Sequence, residues 1–530
     1  MVFAREAMAQ CSAPTRVYAD AQSYGSSSAL VASASVDNPT AAVGANLSTN
    51  ATALNVVTVL GAAEAWTQLK FTNAGNPSLP LPAGTTTYVK IGGESAGALL
   101  GLIGGSSLPV YAYSGATPTS DGTQIATNNV SVTNLTTLDG TIYLAITPNT
   151  AYNAVRIALN ASVLIGTGRL LIYHAFYQTS GASCDPTLGA STSIAGLLNL
   201  GGNINNPLNA IDGNLSTYST FSMGLVGAGT TLKERVYFPG PSNDGDAATI
   251  TFSIPSSLLL DLSLLNNISI TPYNGSIAGT PINLSSLLSL DLLSLLRANN
   301  IVTVSFVPPT KFDRIEISMG SLVSLLAQMN LYEVQRTPAK PSFIAPSASS
   351  VTICYGKSAT LSSTTGSCNE LHWYTSASGG TATIGPTYTT GNLTTTTTYY
   401  VAAAKIGCAA ESERVPVVVT VNPLPTAVIS GTASVCINAT APSITFTGTG
   451  SVAPYTFTYK IGNGTNQTIL SNAAGVAIIS VPTSVTGTFI YSLISVSDSS
   501  TTACAQQQNG FASVTVLPKP NAPPMTANTY

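Results

Sequence analysis

The sequence predicts an all-β protein built from several β-sandwiches in tandem. At 530 residues the chain is too long for a single hydrophobic core, so several domains are expected. Only 7% of its residues are charged, and long surface helices would need more Lys, Arg and Glu on their wet faces. Instead, alternating apolar and polar residues recur between clusters of Gly, Asn, Pro and Thr, which is typical of short strands joined by turns.

A duplication organises the first part of the chain. Residues 206–217 read NPLNAIDGNLST, and residues 38–49, which lie 168 positions earlier, read NPTAAVGANLST. Five alternating segments recur in the same order in both copies: 85–92 with 248–254, 108–116 with 268–276, 140–147 with 301–307, 152–159 with 312–320, and 168–178 with 329–335. A repeat of this size predicts two related domains. We expect a jelly-roll-like β-sandwich at residues 11–182 (module 1) and a second copy at residues 183–336 (module 2).

Smaller domains are expected after module 2. Residues 337–342 read TPAKPS, which is typical of a proline-containing linker. Strand-like segments then predict two shorter sandwiches, at residues 343–422 and 423–518.

The two ends of the sequence suggest processing and a longer parent. Residues 1–10 end in small residues before Cys11 and are interpreted as the remnant of an export signal, with an ordinary disordered terminus as the alternative. Residues 519–530 resemble the start of the unit at residue 339, so a further linker or repeat is expected there. On this interpretation the sequence is the N-terminal part of a longer polypeptide.

The two shorter domains resemble repeats of a known class of surface protein. The segments SVTICYGKSATL, HWYTSASGG, TTTTTYYVAA and VVVTVNPLP occur in this order within residues 343–425. They resemble the Ig-like repeats of large secreted surface proteins of Bacteroidetes, which accompany gliding-motility (type IX) sorting regions. Residues 423–518, with APYTFTYKIGNG and TGTFIYSLISVSD, resemble the PKD-like repeats of the same proteins. The resemblance implies export by that secretion machinery and a place at the cell surface.

The duplicated stretch carries the one candidate binding site. NAIDGNLSTYSTF, at residues 209–221, resembles the A-x-D-G-N-x-x-T-x-[WF] loop of discoidin-like (F5/8 type C) carbohydrate-binding domains. In that family the loop often binds a structural calcium ion, and the matching residues here are Asp212, Asn214 and Thr217. Their oxygen atoms are the hard donors that Ca²⁺ requires. The alternative is a simple turn, and module 1 has Gly44 in place of the aspartate.

Aromatic residues near this loop are candidates for contact with a sugar. If the resemblance holds, loop aromatics would stack on sugar rings, and Tyr218, Phe221 and Tyr273 are the candidates. The alternative for each is packing in the core.

The seven cysteines predict structural disulfides in an oxidising compartment. They form no CxxC pair, and the chain has only two histidines, so a zinc site is not expected. Cys368 is an alternative disulfide partner for Cys354 or Cys408, or else a free thiol. Cys11 and Cys184, which flank module 1, are either bonded to each other or both free. The predicted pairs are Cys436–Cys504, Cys354–Cys408 and Cys11–Cys184.

Several function classes do not fit the sequence. The net charge is −3 and there is no cluster of Lys or Arg, so nucleic-acid binding is not expected. Polar residues interrupt the Leu-rich region 256–297, so it does not predict a membrane span. No nucleophile, metal or phosphate-binding motif occurs, and Asp313 and Glu316 are interpreted as turn and surface charges rather than a catalytic pair.

We therefore expect a secreted, non-catalytic surface protein that mediates adhesion or glycan binding. Calcium is the only cofactor that the sequence suggests, and the expected partner is an extracellular glycan or another surface ligand. One alternative is an accessory binding region of a secreted polysaccharide-degrading enzyme. Another is a purely structural filament or stalk protein.

Overall fold

The computed structural model confirms the all-β prediction. It describes residues 15–43, 51–72, 79–93, 108–161, 166–179, 187–196, 202–223, 230–255, 265–298, 300–320, 328–343, 349–366, 368–406 and 410–521. Strands dominate these ranges, and a short helix, α1, spans Leu290–Arg297. Nowhere in this part of the chain is a helix long and apolar enough to cross a bilayer.

The chain divides into two compact units. The first comprises the chain up to Lys340 together with the segments Thr365–Glu370 and Ala403–Glu413. The second comprises Pro341–Thr364, Leu371–Ala402 and the chain from Arg414 onward.

Module 1 is a sandwich of two antiparallel sheets. One sheet has the order β2-β5-β11-β7-β8, and the other contains β9-β10-β6-β12-β4-β3 with β1 beside β12. Apolar residues that alternate along both sheets, such as Leu54, Val89 and Ile157, are fully buried between them. The strands are β1 (Arg16–Tyr18), β2 (Ala21–Ser28), β3 (Val31–Asp37), β4 (Thr52–Leu60), β5 (Ala63–Lys70), β6 (Thr87–Gly92), β7 (Val110–Ser114), β8 (Thr123–Gln124), β9 (Val130–Thr136), β10 (Ile142–Pro148), β11 (Ala154–Ala161) and β12 (Gly166–Gln178).

Module 2 has its own core between two sheets, of order β13-β16-β22-β18-β19 and β14-β15-β23-β17-β21, with β20 beside β18. Its strands are β13 (Gly189–Ala195), β14 (Asn203–Asn205), β15 (Ser219–Ser222), β16 (Thr231–Tyr237), β17 (Ala247–Ser253), β18 (Ile268–Asn274), β19 (Ile277–Ala278), β20 (Ile282–Asn283), β21 (Val302–Phe306), β22 (Arg314–Gly320) and β23 (Gln328–Thr337).

The two modules share one strand arrangement. β6 lies between β10 and β12, and its sequence counterpart β17 lies between β21 and β23. In each module the register shifts by one residue on the last strand, at Tyr173 in module 1 and at Tyr332 in module 2. The matched tyrosines of the sequence repeat are therefore matched β-bulge residues in the structure.

An aromatic cluster joins the two modules within the first unit. β9 pairs with β13 at Thr136 and Ala190, so a sheet of module 1 continues into a sheet of module 2 as one 13-stranded sheet. Tyr88, Tyr143 and Phe176 project from the face of the module 1 sheet that points away from its own core. They are buried together with Tyr237 of module 2. These strands are therefore covered on both faces.

The second unit holds the two shorter sandwiches. The first has sheets β24-β30-β29-β26-β27 and β25-β28 around Trp373, and the second has β32-β38-β37-β34-β35 and β31-β33-β36 around Phe457. The strands are β24 (Ser350–Cys354), β25 (Thr360–Ser362), β26 (Asn369–Tyr374), β27 (Thr383–Ile384), β28 (Thr387–Thr389), β29 (Thr397–Lys405), β30 (Val415–Asn422), β31 (Thr426–Ser430), β32 (Ala433–Cys436), β33 (Ser443–Thr449), β34 (Thr456–Ile461), β35 (Gln467–Leu470), β36 (Val476–Ser480), β37 (Gly487–Ser497) and β38 (Ala505–Leu517).

The disulfides differ from the predicted pairs. Cys354 of the first small sandwich is bonded to Cys504 of the second, with an S–S distance of 2.06 Å. Cys436 is free and exposed. The predicted pairs Cys436–Cys504 and Cys354–Cys408 are therefore both wrong. Cys368 is disulfide-bonded, so it is not a free thiol.

Strand direction explains why the Cys436–Cys504 prediction fails. β32 runs parallel to β38 and places Cys436 opposite Leu517, the last residue of that strand. Cys504 precedes Ala505, the first residue of the same 13-residue strand. At about 3.3 Å per residue the two cysteines lie at opposite ends of the sheet, roughly 40 Å apart.

The same reasoning applies to Cys354. β24 is parallel to β30 and places Cys354 opposite Asn422, at the end of β30. β29, the strand that leads towards position 408, is antiparallel to β30 and ends beside the start of β30. The predicted partner Cys408 itself, and the predicted pair Cys11–Cys184, lie outside the described residues.

Candidate functional site

The three predicted calcium ligands of module 2 are brought together in one turn. The Asp212 carboxylate accepts a hydrogen bond from the Asn214 backbone N–H through Oδ1, at 2.9 Å. Its Oδ2 accepts one from the Thr217 hydroxyl at 2.6 Å, and that hydroxyl also lies 2.9 Å from the Asn214 carbonyl oxygen. Gly213 between them has a φ of +72°, a conformation that favours glycine.

A fourth residue, Glu333 on β23, completes this cluster and was missed by sequence reasoning. Its Oε2 accepts a hydrogen bond from the Gly213 backbone N–H at 2.8 Å, and only 5% of the side chain surface is exposed. Burial and the neighbouring Asp212 raise the pKa of Glu333 to about 7, although the Gly213 bond acts in the opposite direction. The only sequence signal was a carboxylate between Tyr332 and Val334 in a predicted strand, 121 positions from Asp212.

The cluster has donors of the kind that calcium binds. Two carboxylates, one hydroxyl and one backbone carbonyl converge on the turn, and Ca²⁺ takes six to eight oxygen ligands in flexible geometry. Within the described ranges, no group of three or more His, Cys, Asp and Glu could hold a metal. Any further ligands here would therefore be neutral oxygens. The counterpart in module 1, at residues 44–49, lies outside the part that the structure describes.

The three predicted aromatic residues have different environments. Tyr218 is 39% exposed, and its ring lies 5.1 Å from that of Tyr332, the bulge residue of β23. Phe221 is completely buried in the core of module 2, so the expectation that it stacks on a ligand is wrong. Tyr273 lies on β18, in the other sheet, where its ring packs 4.8 Å from the Arg314 guanidinium.

A second concave feature lies at the junction of the two modules. It is a cavity of about 390 Å³ lined by polar groups that include Thr85, Gln178 and Asn274. Asp313 borders it, with Oδ2 accepting a hydrogen bond from the Gly275 N–H at 2.9 Å and Oδ1 lacking a partner among the described residues. Burial raises the pKa of Asp313 despite the adjacent Arg314.

Two carboxylates that were expected at the surface are buried. Asp313 is 8% exposed and Glu316 is 3% exposed. Both lie on or beside β22, which is in the interior of the 13-stranded sheet and is covered on both faces. The interpretation of these residues as turn and surface charges is therefore wrong.

Comparison with known proteins identifies one domain. A family model described as "Ig-like domain CHU_C associated" matches residues 338–423. No curated protein matches the chain. Among solved structures, the chain is similar to Dpr2 Ig1-Ig2 in complex with DIP-Theta Ig1-Ig3, at 10% identity over 55% of this chain and 93% of that chain, with a TM-score of 0.15.

Further similar structures also consist of Ig domains. The titin domains I67–I69 are 12% identical over 57% of this chain and 93% of that chain, with a TM-score of 0.21. The four N-terminal Ig domains of Dscam1 isoform 6.44 are 13% identical over 55% of this chain and 81% of that chain, with a TM-score of 0.17. The Ig-like prediction for the first small sandwich is confirmed. The family model therefore identifies residues 338–423 as similar to Ig-like domains of the CHU_C-associated type, within a tandem array of β-sandwiches.

Proposed function

We propose that the chain is a secreted, non-catalytic cell-surface protein that binds a glycan at the Asp212 turn of module 2, with calcium holding that turn in place. The observation that carries the proposal is the position of an exposed aromatic ring beside a cluster of oxygen donors. Tyr218 follows the turn directly and is 39% exposed. The Ig-like domain, of a type found in Bacteroidetes surface proteins, supports the surface location.

The chemistry of the site suits a neutral, hydroxyl-rich ligand. A tyrosine ring offers a rigid apolar face on which a sugar ring can stack, and its hydroxyl adds a polar contact. Tyr332 packs against Tyr218, which limits the orientations that the exposed ring can adopt. The polar groups of Asp212, Asn214 and Ser216 lie in the turn that precedes Tyr218 in the chain and can exchange hydrogen bonds with sugar hydroxyls.

Calcium would act on the turn rather than on the sugar. The Asp212 carboxylate already accepts hydrogen bonds from the Asn214 N–H and the Thr217 hydroxyl of the turn, and burial raises the pKa of Glu333. A cation bound between the two carboxylates favours the ionised form of Glu333, so binding displaces the proton of this residue. We therefore expect calcium binding to strengthen as the pH rises through about 7.

The calcium prediction is tested by thermal unfolding of the whole chain with calcium and with chelator. We expect calcium at a 100-fold excess over its Kd to stabilise module 2 by roughly 3 kcal/mol, and more at pH 8 than at pH 6. Asp212→Ala and Glu333→Gln should abolish the difference between calcium and chelator. Asp244→Ala, which removes a carboxylate with 90% of its surface exposed, is the matched control and should retain it. A chelator response that persists in Asp212→Ala would refute the site.

The glycan prediction is tested by screening the whole chain on a glycan array. We expect binding to one sugar class, lost in Tyr218→Ala and reduced by chelator. Tyr24→Ala removes a tyrosine that is 50% exposed on β2 of module 1, so this control should bind as the wild type does. Equal binding by both variants would exclude the Tyr218 surface.

A structural role as a stalk is the second candidate. The observation in its favour is the Cys354–Cys504 bond, which joins the Ig-like domain to the domain that follows it and limits bending between them. Absence of any glycan binding, together with end-to-end association of the purified chain, would favour this role.

A further inference from the structure

The free cysteine of the last sandwich occupies the same structural position as a cysteine that forms an interdomain disulfide. Cys354 is the last residue of β24 and lies opposite Asn422, the last residue of β30. Cys436 is the last residue of β32 and lies opposite Leu517, the last residue of β38. In both domains the cysteine strand runs parallel to the final strand of the domain.

The backbone around the two cysteines is the same in detail. The residue after each cysteine donates to the final strand: Tyr355 N–H to the Asn422 carbonyl at 2.9 Å, and Ile437 N–H to the Leu517 carbonyl at 2.8 Å. The next residue has a left-handed backbone in both cases, with φ of +74° at Gly356 and +65° at Asn438.

The turn then closes in the same way in both domains. The N–H of Lys357 donates to the carbonyl of Cys354 at 3.1 Å, and the N–H of Ala439 donates to the carbonyl of Cys436 at 3.0 Å. The two cysteine side chains therefore leave equivalent turns at equivalent ends of their domains.

The first of these cysteines shows what the position does. Cys354 reaches across to Cys504, which lies in the turn before the final strand of the next domain. The same turn is held by the Asn422 side chain, whose amide donates to the Thr502 hydroxyl at 3.1 Å. The chain passes between the two domains through Asn422-Pro-Leu-Pro. The end of the Ig-like domain thus receives one turn of its neighbour and bonds to it.

The equivalent end of the last sandwich has the features needed to receive another domain. The chain leaves it through Leu517-Pro-Lys-Pro, which has the same Pro-x-Pro spacing. Cys436 is exposed there, and so are the apolar side chains of Leu517, at 47%, and Val485, at 62%. The chain has seven cysteines, and an odd number leaves at least one without an internal partner.

We propose that Cys436 forms the next bond of the same kind. Its partner is a cysteine in the turn before the final strand of a further sandwich domain, which sits on the Leu517 end as the last sandwich sits on the Asn422 end. The inference is independent of glycan binding. It makes the two cysteines successive members of a series of interdomain disulfides.

The bond requires an oxidant. The two thiols each lose one proton and one electron as the S–S bond forms. An oxidised thiol–disulfide oxidoreductase, or a small disulfide such as oxidised glutathione, takes up both electrons and both protons and leaves as two thiols. Compartments outside the cytosol supply such disulfides.

The test is disulfide mapping of the natural polypeptide that carries this sequence. Free thiols are blocked with N-ethylmaleimide, and the protein is digested without reductant. The Cys354–Cys504 peptide pair is the internal control for native oxidation. We expect the Cys436 peptide to be linked to a cysteine from the turn before the final strand of another sandwich domain.

The same sample distinguishes the two possible sources of the partner domain. We expect a bond within one polypeptide, as for Cys354–Cys504, which leaves the mass on a non-reducing gel unchanged. A bond between chains doubles that mass and would overturn the proposal. Recovery of Cys436 alkylated, capped by glutathione, or bonded to a cysteine at any other position would overturn the proposal. In the 530-residue chain alone, maleimide added under native conditions should label about one more thiol in the wild type than in Cys436→Ser, because the Cys436 thiol is exposed.

Discussion

Buried carboxylates show how local partners decide the charge of a residue. Glu316 on β22 accepts hydrogen bonds from Lys233 at 2.9 Å and from Arg235 at 2.6 Å, so its negative charge is balanced. Glu234 on β16 is completely buried and, among the described residues, hydrogen-bonds to the Ser219 hydroxyl alone, at 2.6 Å. Burial raises the pKa of Glu234 to about 8 against the effect of that bond. The residue is therefore protonated in the folded protein at neutral pH.

This difference predicts a pH-dependent effect of Glu234→Gln. The pKa of Glu234 in the folded state lies above its ordinary value of 4.5, so the folded protein loses stability as the pH rises between 4.5 and about 8. Glutamine cannot ionise and removes that loss. We expect the free energy of unfolding of the variant, relative to wild type, to increase by about 1 kcal/mol per pH unit from pH 5 to pH 8.

Urea unfolding at pH 5 and pH 8 measures this effect. Glu64→Gln, which makes the same substitution at a partly exposed position of β5, is the control. An equal difference between Glu234→Gln and wild type at both pH values would contradict the assignment.

Single residues were the least predictable part of the site. The Asp212 turn was found because its ligand-like residues lie within six positions of each other. Glu333 was missed because strand pairing, not sequence spacing, brings it to Gly213. Phe221 was wrongly expected to contact a ligand. The alternation of apolar and polar residues shows that a segment is a strand, but it does not show which face of that strand packs against the core.

At the scale of elements, the order of the strands was predictable from the sequence. The burial of both faces of the module 1 sheet that adjoins module 2 was not. The five matched segments correspond to strands with equivalent neighbours, down to the bulges at Tyr173 and Tyr332. The sequence nevertheless contained a signal for the junction. Tyr88 and Tyr143 occupy positions that a solvated sheet face would give to Thr or Ser, and the structure buries both against module 2.

The junction also predicts unequal effects of two equivalent glycines. Gly275 and Gly115 end corresponding strands and have similar φ values of +57° and +67°. A Cβ at Gly275 would collide with the carbonyl oxygen of Gly84 in module 1, whereas a Cβ at Gly115 would meet no atom within 4 Å. Gly115→Ala adds only the strain of a left-handed backbone, of about 1–2 kcal/mol. Gly275→Ala adds to it an overpacking cost of about 1–3 kcal/mol.

The melting temperatures of the two alanine variants test this prediction. We expect Gly275→Ala to lower the melting temperature of the first unit more than Gly115→Ala does. It should also increase proteolysis of the segment that joins the modules. Equal melting temperatures for both variants would show that the contact with Gly84 adds nothing to stability.

For the molecule as a whole, the all-β class followed from composition and strand patterns, and the Ig-like domain followed from a resemblance of sequence segments to known repeats. The connection between domains followed from neither. Cysteines were paired within domains because their spacing in the sequence matched domain lengths. The actual partner depends on whether the first strand of each small sandwich runs parallel to the last, which places Cys354 at the exit of its domain. Side-chain alternation is the same for parallel and antiparallel neighbours, so the sequence pattern carries no information on this choice.

The interdomain disulfide predicts coupled unfolding of the two small sandwiches. The bond closes a loop of 150 residues, for which chain entropy predicts a stabilisation of about 5 kcal/mol as an upper estimate. In the double variant Cys354→Ser/Cys504→Ser, each domain keeps its own core but loses the constraint on its neighbour. We expect calorimetry to show two separate transitions at lower temperature in place of one. Cys436→Ser, which removes a free thiol from an equivalent turn, should leave the transition of this chain unchanged. A single unchanged transition in the double variant would mean that packing between the domains, and not the disulfide, couples their unfolding.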